Sequence, residues 1–197
     1  MDERLQKQLD FALEIDKEKN IFRQTHLSGH GRNENDAEHA WHMAIMTVLL
    51  AEYANEKIDV LKTVMMLLIH DLVEIDAGDT YAYDEEGKKT QREREEKAAK
   101  RIFGLLPEEQ GEKLMALWEE FEAYETPEAN FAHTMDNIQP VMLNDATDGK
   151  AWLEHGVHLS QILGRNKKTA EGSEELWQYA YEKMIAPNAV KGRIIED

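Results

Sequence analysis

Apolar residues recur at helical spacing along most of the chain. Near the N-terminus, Leu5, Leu9 and Leu13 fall on one face, which predicts a first helix over residues 2–20. Residues 23–35 are polar and contain two glycines, so we expect a loop there. No segment alternates between apolar and polar residues as a half-buried strand would, and there is no internal repeat.

The next two helices have distinctive sequences. Asn35 followed three positions later by Glu38 is typical of a capping box and predicts the start of a helix that continues to about residue 55. A third helix over about residues 59–75 is apolar on nearly all sides, which predicts a central position. This helix also carries charged residues, and it is too short and too charged to span a bilayer.

The rest of the chain continues the helical pattern. Further helices are predicted at 88–103, 107–124, 126 to near Pro140, 150–164 and 173–186. Pro107 and Pro127 suit helix starts, whereas Pro140 is expected to kink or stop its helix. We therefore predict an all-α fold with one domain over residues 1–197, in which C-terminal helices between 150 and 190 pack on the core.

Composition and charge limit the possible partners. The chain has no cysteine, so disulfides and thiolate metal sites are excluded. Its formal net charge is −17, which opposes binding to long nucleic acids but not to a small phosphate in a locally positive pocket. The charged start MDERLQKQLDF has no signal-peptide character, so we expect a cytoplasmic protein without a membrane partner.

An ionisable pair, His70-Asp71, lies in the most apolar helix. Burying such a pair costs several kcal/mol unless each group is paired or bound. Imidazole and carboxylate together are good ligands for a divalent metal ion. A buried His–Asp pair linked only by hydrogen bonds is the alternative, and the pair by itself does not decide between the two.

Residues elsewhere strengthen the metal interpretation. Glu74 shares a helical face with His70 and Asp71. His39 lies in the first turn of the preceding helix, and Asp136 is an acid on an otherwise apolar helix face. One His, one His-Asp pair and one Asp from three helices would make a nitrogen-and-oxygen site with positions open for water or substrate, as hydrolytic metal catalysis requires.

The order H…HD…D resembles the HD-domain metal-dependent phosphohydrolases, especially the small branch that contains the 5′-deoxynucleotidases. The matching blocks are residues 32–39, residues 70–74 with Gly78-Asp79, and Asp136, within a resemblance that covers about 15–145. It implies an all-α HD-domain helical bundle and often a homodimer. It also implies one divalent metal ion, of unspecified identity among Mn, Co, Ni, Fe, Zn and Mg, on His39, His70, Asp71 and Asp136.

The same resemblance assigns roles around the metal. Glu74 matches an acid that positions or deprotonates the attacking water, and Asp79 an acid that could protonate the leaving oxygen. Gly78 would let the chain turn so that Asp79 points back towards the site, although a simple turn residue is the alternative. Arg23 and Arg32 match phosphate-binding arginines, and the planar guanidinium suits phosphate oxygens.

These features predict a metal-dependent phosphohydrolase, most simply a phosphomonoesterase acting on nucleoside 5′-monophosphates. Gln24 stands where the deoxynucleotidases have an aromatic residue, so the sugar preference stays open. A phosphodiesterase or pyrophosphohydrolase acting on a signalling nucleotide is one alternative, and a non-catalytic, metal-stabilised interaction module is another. The sequence assigns no role to four further histidines, His42, His133, His155 and His158.

Overall fold

A computed structural model describes residues 2–29, 31–84 and 86–197, with only the backbone at Lys88. The all-α prediction is confirmed. The α-helices are α1 (Glu3–Glu14), α2 (Asp36–Leu50), α3 (Val60–Ile69), α4 (Glu74–Ala77), α5 (Lys88–Phe103), α6 (Glu108–Ala123), α7 (Pro127–Ala146), α8 (Lys150–His155), α9 (Leu159–Arg165), α10 (Thr169–Gly172), α11 (Glu174–Ala180) and α12 (Ala186–Val190). Within these described residues, no helix combines the length and apolar character needed to cross a membrane.

The helices α2, α3 and α7 pack against one another around the main core. Met43, Met66 and Met135, one from each helix, are fully buried at their junction. Burial of such side chains is the main force that holds the three helices together. The helix α3 was predicted to be central; Met66 and Leu67 do lie in the main core, but its outer face is not covered, since Leu61 is 72% exposed and Leu68 40% exposed.

Two short strands occupy the segment that was predicted to be a loop. The strands β1 (Phe22–His26) and β2 (Asn33–Asn35) pair antiparallel, with Phe22 opposite Asn35 and His26 opposite Asn33. The Asn33 side chain donates a hydrogen bond to the Arg23 carbonyl at 2.7 Å, which adds to the backbone pairing. The strands are polar because they cover the edge of the helical core, so no apolar alternation marks them in the sequence.

Several helix boundaries differ from the prediction. The capping box at Asn35 and Glu38 is present, as predicted. The helix over 59–75 is divided, because a 3₁₀ turn (His70–Val73) separates α3 from α4. Pro140 does not stop α7, where Asn144 Nδ2 donates to the Pro140 carbonyl at 2.9 Å. The helices predicted at 150–164 and 173–186 are each divided. The first range contains α8 and most of α9, and the second contains α11 and the start of α12.

Candidate metal centre

Three buried side chains from different parts of the chain meet beneath the β-hairpin. His39 lies in the first turn of α2, His70 follows α3, and Asp136 lies in the middle of α7. One potential ligand atom from each residue lies within 4.8 Å of the others. The packing of α2 and α3 on α7 therefore creates a compact group of two imidazoles and one carboxylate that could hold a divalent ion.

Gln139 fixes the orientation of the His39 ring. The Gln139 Nε2 amide donates to Glu34 Oε1 at 2.7 Å and to His42 Nδ1 at 3.1 Å, so its Oε1 is the acceptor for His39 Nδ1 at 3.0 Å. Glu34 Oε2 lies 3.5 Å from the same Nδ1. His39 Nε2 is thereby directed towards Asp136 Oδ1, 3.1 Å away, and is available as a metal ligand.

His70 has the same arrangement with a backbone partner. Its Nδ1 donates to the Leu67 carbonyl at 2.9 Å. Its Nε2 is buried without a hydrogen-bond partner and lies 3.1 Å from Asp71 Oδ1. An orphaned buried nitrogen is costly, and a divalent cation would satisfy it. The donor set and this orphaned atom therefore fit a metal ion.

Both acidic and basic side chains lie next to His70 and Asp71. Arg23 Nη1 donates to Asp71 Oδ2 at 2.9 Å and to Asp36 Oδ1 at 3.3 Å. Burial raises the pKa of Asp71, but His70 and Arg23 outweigh it and hold the pKa below its ordinary value. Burial likewise lowers the pKa of His70, but Asp71 raises it to about 9, so a metal ion must displace a proton there.

Glu74 and Asp79 line the same cavity as His70, Asp71 and Asp136, and this cavity has a volume of about 380 Å³. The backbone turns at Gly78, where φ is 75°. Burial, followed by the charge of Asp71, raises the pKa of Glu74 well above its ordinary value. Burial also raises the pKa of Asp79. These two carboxyl groups therefore retain protons more readily than exposed ones.

The structure brings only one of the two predicted phosphate-binding arginines into this cavity. Arg23 is among the lining residues. Arg32 is instead 53% exposed and pairs with Glu38 at the surface, outside the cavity lining. Glu38 also accepts from the Asn35 backbone N–H in the capping box of α2, so Arg32 is held beside the start of that helix.

Arg165 is a cavity residue that the sequence did not single out. It is the last residue of α9, and its Nη2 donates to Asp136 Oδ2 at 2.8 Å. Burial raises the pKa of Asp136, but Arg165 and then His39 outweigh burial and lower it well below the ordinary value. A cluster of cations at Arg165, Lys167 and Lys168 in so acidic a chain is the signal that could have identified this segment.

The other histidines have separate environments. His133 lies between Phe121 and Tyr124, with ring centroids 3.9 Å from each, and its Nε2 donates to the Phe121 carbonyl at 2.8 Å. His155 packs on Tyr81 with centroids 4.7 Å apart. His158 pairs with the carboxylate of the terminal residue at the surface. Of these three, only His133 belongs to the cavity lining.

The family model for the HD domain matches residues 15–177, which is most of the chain and includes each of the predicted metal ligands. The chain belongs to the HD-domain family. A crystal structure of a predicted metal-dependent phosphohydrolase from Magnetospirillum magnetotacticum MS-1 is similar to this HD-domain chain, with 46% identity and a TM-score of 0.91 over 97% of this chain and 95% of the other. The predicted resemblance is thus confirmed.

The curated relatives of this HD-domain chain include 5′-deoxynucleotidase HDDC2 of Homo sapiens, 32% identical over 111 residues. That match covers 56% of this chain and 53% of the human protein, so the chain spans about half the length of the relative. A conserved hypothetical protein from Pyrococcus furiosus shares the fold, with 24% identity and a TM-score of 0.65 over 89% of this chain and 98% of that one. The chain thus shares its fold and family with proteins that are named a predicted metal-dependent phosphohydrolase and a 5′-deoxynucleotidase.

Proposed function

We propose that this HD-domain chain is a phosphomonoesterase that acts on nucleoside 5′-monophosphates with one bound divalent metal ion. The observation that carries the proposal is the convergence of His39, His70 and Asp136 beside a cavity that His70 and Asp136 line, and that also contains Glu74 and Asp79, whose pKa values are raised by burial. The name of the human relative, a 5′-deoxynucleotidase, supports a nucleotide monoester as substrate.

His39, His70, Asp71 and Asp136 would hold the metal ion in this proposal. Asp71 enters the set because its Oδ1 is 3.1 Å from His70 Nε2. When bound, the ion supplies Lewis acidity, which lowers the pKa of water and offsets charge on the phosphate. Arg23 stabilises the ligand carboxylate of Asp71 and presents the rest of its guanidinium to the cavity, where it can bind phosphate oxygens.

Glu74 and Asp79 carry the proton transfers in this proposal. In the ionised form, Glu74 Oε2, which is buried without a hydrogen-bond partner, accepts a proton from the attacking water as the new P–O bond forms. Asp79, whose pKa is raised by burial, donates its proton to the 5′-oxygen as the ester bond breaks. The products are a nucleoside and inorganic phosphate.

The test measures phosphate release from a panel of ribo- and deoxynucleoside monophosphates, with Mn, Co, Ni, Fe, Zn or Mg added to metal-stripped protein. We expect metal-dependent release that falls at least about 1,000-fold in Asp71→Ala, because the variant loses a metal ligand and the partner of Arg23. Asp10→Ala, at an exposed position of α1, is the matched control and should retain activity.

Other reaction products, or none, would contradict this proposal and favour one of the two alternatives. Cleavage of a phosphodiester or pyrophosphate without phosphate release from any monoester would favour the signalling-nucleotide alternative. Tight metal binding with no hydrolysis of any phosphate ester would favour the interaction module.

We also propose that the protein is a homodimer that associates through one apolar surface. This surface, the α2–α3 outer face, points away from α7 and consists of Trp41, Ile45, Val48, Leu49, Leu61, Met65 and Leu68. Their exposed fractions range from 36% to 72%. The exposed area is on the order of 700 Å², taking roughly 180–200 Å² for a fully exposed large apolar residue, and this approaches the area per partner of a stable interface.

A further inference from the structure

Arg165 lies beside Asp136, a proposed metal ligand, yet it is far along the chain from the His70-Asp71 motif. Its guanidinium lines the cavity that also contains Arg23. Arg165 bonds to Asp136 Oδ2 at 2.8 Å, and Arg23 bonds to Asp71 Oδ2 at 2.9 Å. Each arginine is therefore anchored on a different carboxylate of the proposed metal site.

A buried polar network holds the Arg165 backbone in place. The next residue, Asn166, is 2% exposed, and its Oδ1 accepts a hydrogen bond from Thr169 Oγ1 at 3.1 Å. Thr169 Oγ1 in turn accepts from Asn137 Nδ2 at 3.1 Å. The Thr169 carbonyl accepts from Thr134 Oγ1 at 2.8 Å. Because Asn137 directly follows Asp136 in α7, this network holds the Arg165 segment at a fixed distance from the proposed metal ligand Asp136.

The guanidinium of Arg165 has capacity beyond its bond to Asp136. Among the described residues, Asp136 is its only hydrogen-bond acceptor, so one of five N–H donors is used. The Arg165 side chain is 37% exposed, compared with 14% for Arg23. Its other donors are thus accessible to a ligand in the cavity, whereas an arginine that serves only as a counter-ion would need no such exposure.

The many carboxylates of the cavity lining also call for a positive side chain near a bound phosphate. Besides the ligand carboxylates, the lining includes Glu74, Asp79, Glu95 and Glu122. A phosphate ester would be repelled by these groups unless fixed positive charge lies near its oxygens. Arg165 supplies such a charge, and its planar fork can bind two oxygens at once.

We propose that Arg165 is a second phosphate-binding arginine, which contacts the substrate phosphate together with Arg23 while its Nη2 stays on Asp136. This inference rests on the proposed function for its substrate class, but the binding of inorganic phosphate tests it separately. Lys167 and Lys168, on the same segment and in the same cavity lining, add further positive charge.

The test compares Arg165→Gln with the wild-type chain, both loaded with the metal ion that each binds. Calorimetry measures the Kd of inorganic phosphate and, separately, the Kd of the metal ion. We expect phosphate binding to weaken roughly 10- to 100-fold, as expected for the loss of charge-assisted hydrogen bonds. The metal Kd is measured separately because Arg165 bonds to the ligand Asp136, and the loss of such a partner can itself weaken metal binding. The phosphate Kd is therefore determined with the metal ion at a saturating concentration.

Two further variants complete the design. Arg165→Lys keeps the charge but not the fork, and we expect an intermediate loss of roughly 3- to 10-fold in phosphate binding. It also provides the comparison if Arg165→Gln does not fold. Arg4→Gln removes a surface arginine that pairs with Glu109 on α1 and α6, and it should bind phosphate as the wild type does. Guanidinium ion added to Arg165→Gln should partly restore binding.

Each outcome separates the inference from the proposed function. Weakened phosphate binding in Arg165→Gln with no nucleotidase activity in the wild type supports the inference and rejects the function. Unchanged phosphate binding in both Arg165 variants, or a metal-loaded wild type that does not bind phosphate, overturns the inference. A large loss of metal affinity with normal phosphate binding to the loaded variant also overturns it, because Arg165 would then act only by positioning Asp136.

Discussion

Gln139 shows how one buried amide can set the chemistry of a site that it does not enter. Its side chain is completely buried and contacts Glu34, His39 and His42. An amide has both donors and an acceptor, so satisfying Glu34 and His42 with its donors leaves its oxygen for the His39 ring. The ring then keeps its proton on Nδ1 whenever Nε2 acts as a metal ligand.

Glu95, a buried acid of α5, should make stability depend on pH. Burial raises its pKa from the ordinary 4.5 to about 7, although Gln91 opposes this with a hydrogen bond of 2.7 Å. Folding therefore favours the protonated form, and this stabilisation is complete below about pH 4.5 and is lost as pH rises through 7. We predict that Glu95→Gln gains roughly 1–3 kcal/mol in unfolding free energy relative to the wild type between pH 4.5 and pH 8.

Urea unfolding of metal-stripped protein at several pH values measures this difference. Glu93→Gln, two residues away on the exposed side of the same helix, is the control and should show no comparable trend. Equal pH dependence in Glu95→Gln and the wild type would mean that the carboxyl ionises normally in the folded protein.

At the scale of elements, the segment that carries Arg165 depends on close contact between α10 and α7. Gly172 ends α10, and a methyl group added there would collide with the Asn130 carbonyl and the Thr134 side chain. We predict that Gly172→Ala lowers the free energy of unfolding by about 1–3 kcal/mol, because the two backbones must separate. The shift in the urea midpoint measures this cost.

Gly164 provides the matched comparison in the neighbouring helix α9. An added methyl group there meets no atom within 4 Å. Gly164→Ala should therefore stabilise the protein by up to about 1 kcal/mol through helix propensity. If both variants were equally stable, the close contact at Gly172 would not constrain the packing of α10.

The local signals in the sequence explain which elements could be predicted. The start of α2 was predicted correctly because its cap is encoded within four residues, from Asn35 to Glu38. The β-hairpin was missed because its strands are short and polar, and pairing depends on the core behind them. Pro140 was expected to kink or stop α7; the helix continues past it to Ala146, because packing on α2 and α3 outweighs the loss of one backbone hydrogen bond.

The same distinction applies to the candidate site. His70 and Asp71 are conspicuous in the sequence because they interrupt an apolar segment, and the resemblance to the HD-domain phosphohydrolases added His39 and Asp136. The basic residues Arg165, Lys167 and Lys168 mark their segment in an acidic chain, but no local signal places Arg165 beside Asp136. It reaches Asp136 only because the polar network around Thr169 folds its segment back onto α7.

At the scale of the whole molecule, the α2–α3 outer face predicts the oligomeric state. We expect a dimer mass in light scattering after size exclusion, and a monomer mass for Leu49→Glu, because a buried charge at the interface is costly. Leu13→Glu is the control, since Leu13 is 74% exposed on α1, outside this face, and the variant should remain dimeric. A wild-type monomer at micromolar concentration would contradict the homodimer.

The separation of the ligand residues along the chain has a consequence for the lifetime of the protein. His39 and Asp136 are 97 positions apart, so their juxtaposition exists only after the central helices have assembled. An unfolded chain would have to close that long loop before it could offer both atoms to one ion. The ion therefore binds the folded state in preference to the unfolded state. This binding raises the free energy of unfolding by about 2.7 kcal/mol when the ion concentration is about a hundred times Kd. Metal supply would then govern resistance to proteolysis as well as turnover, and starvation for the ion would shorten the protein's survival.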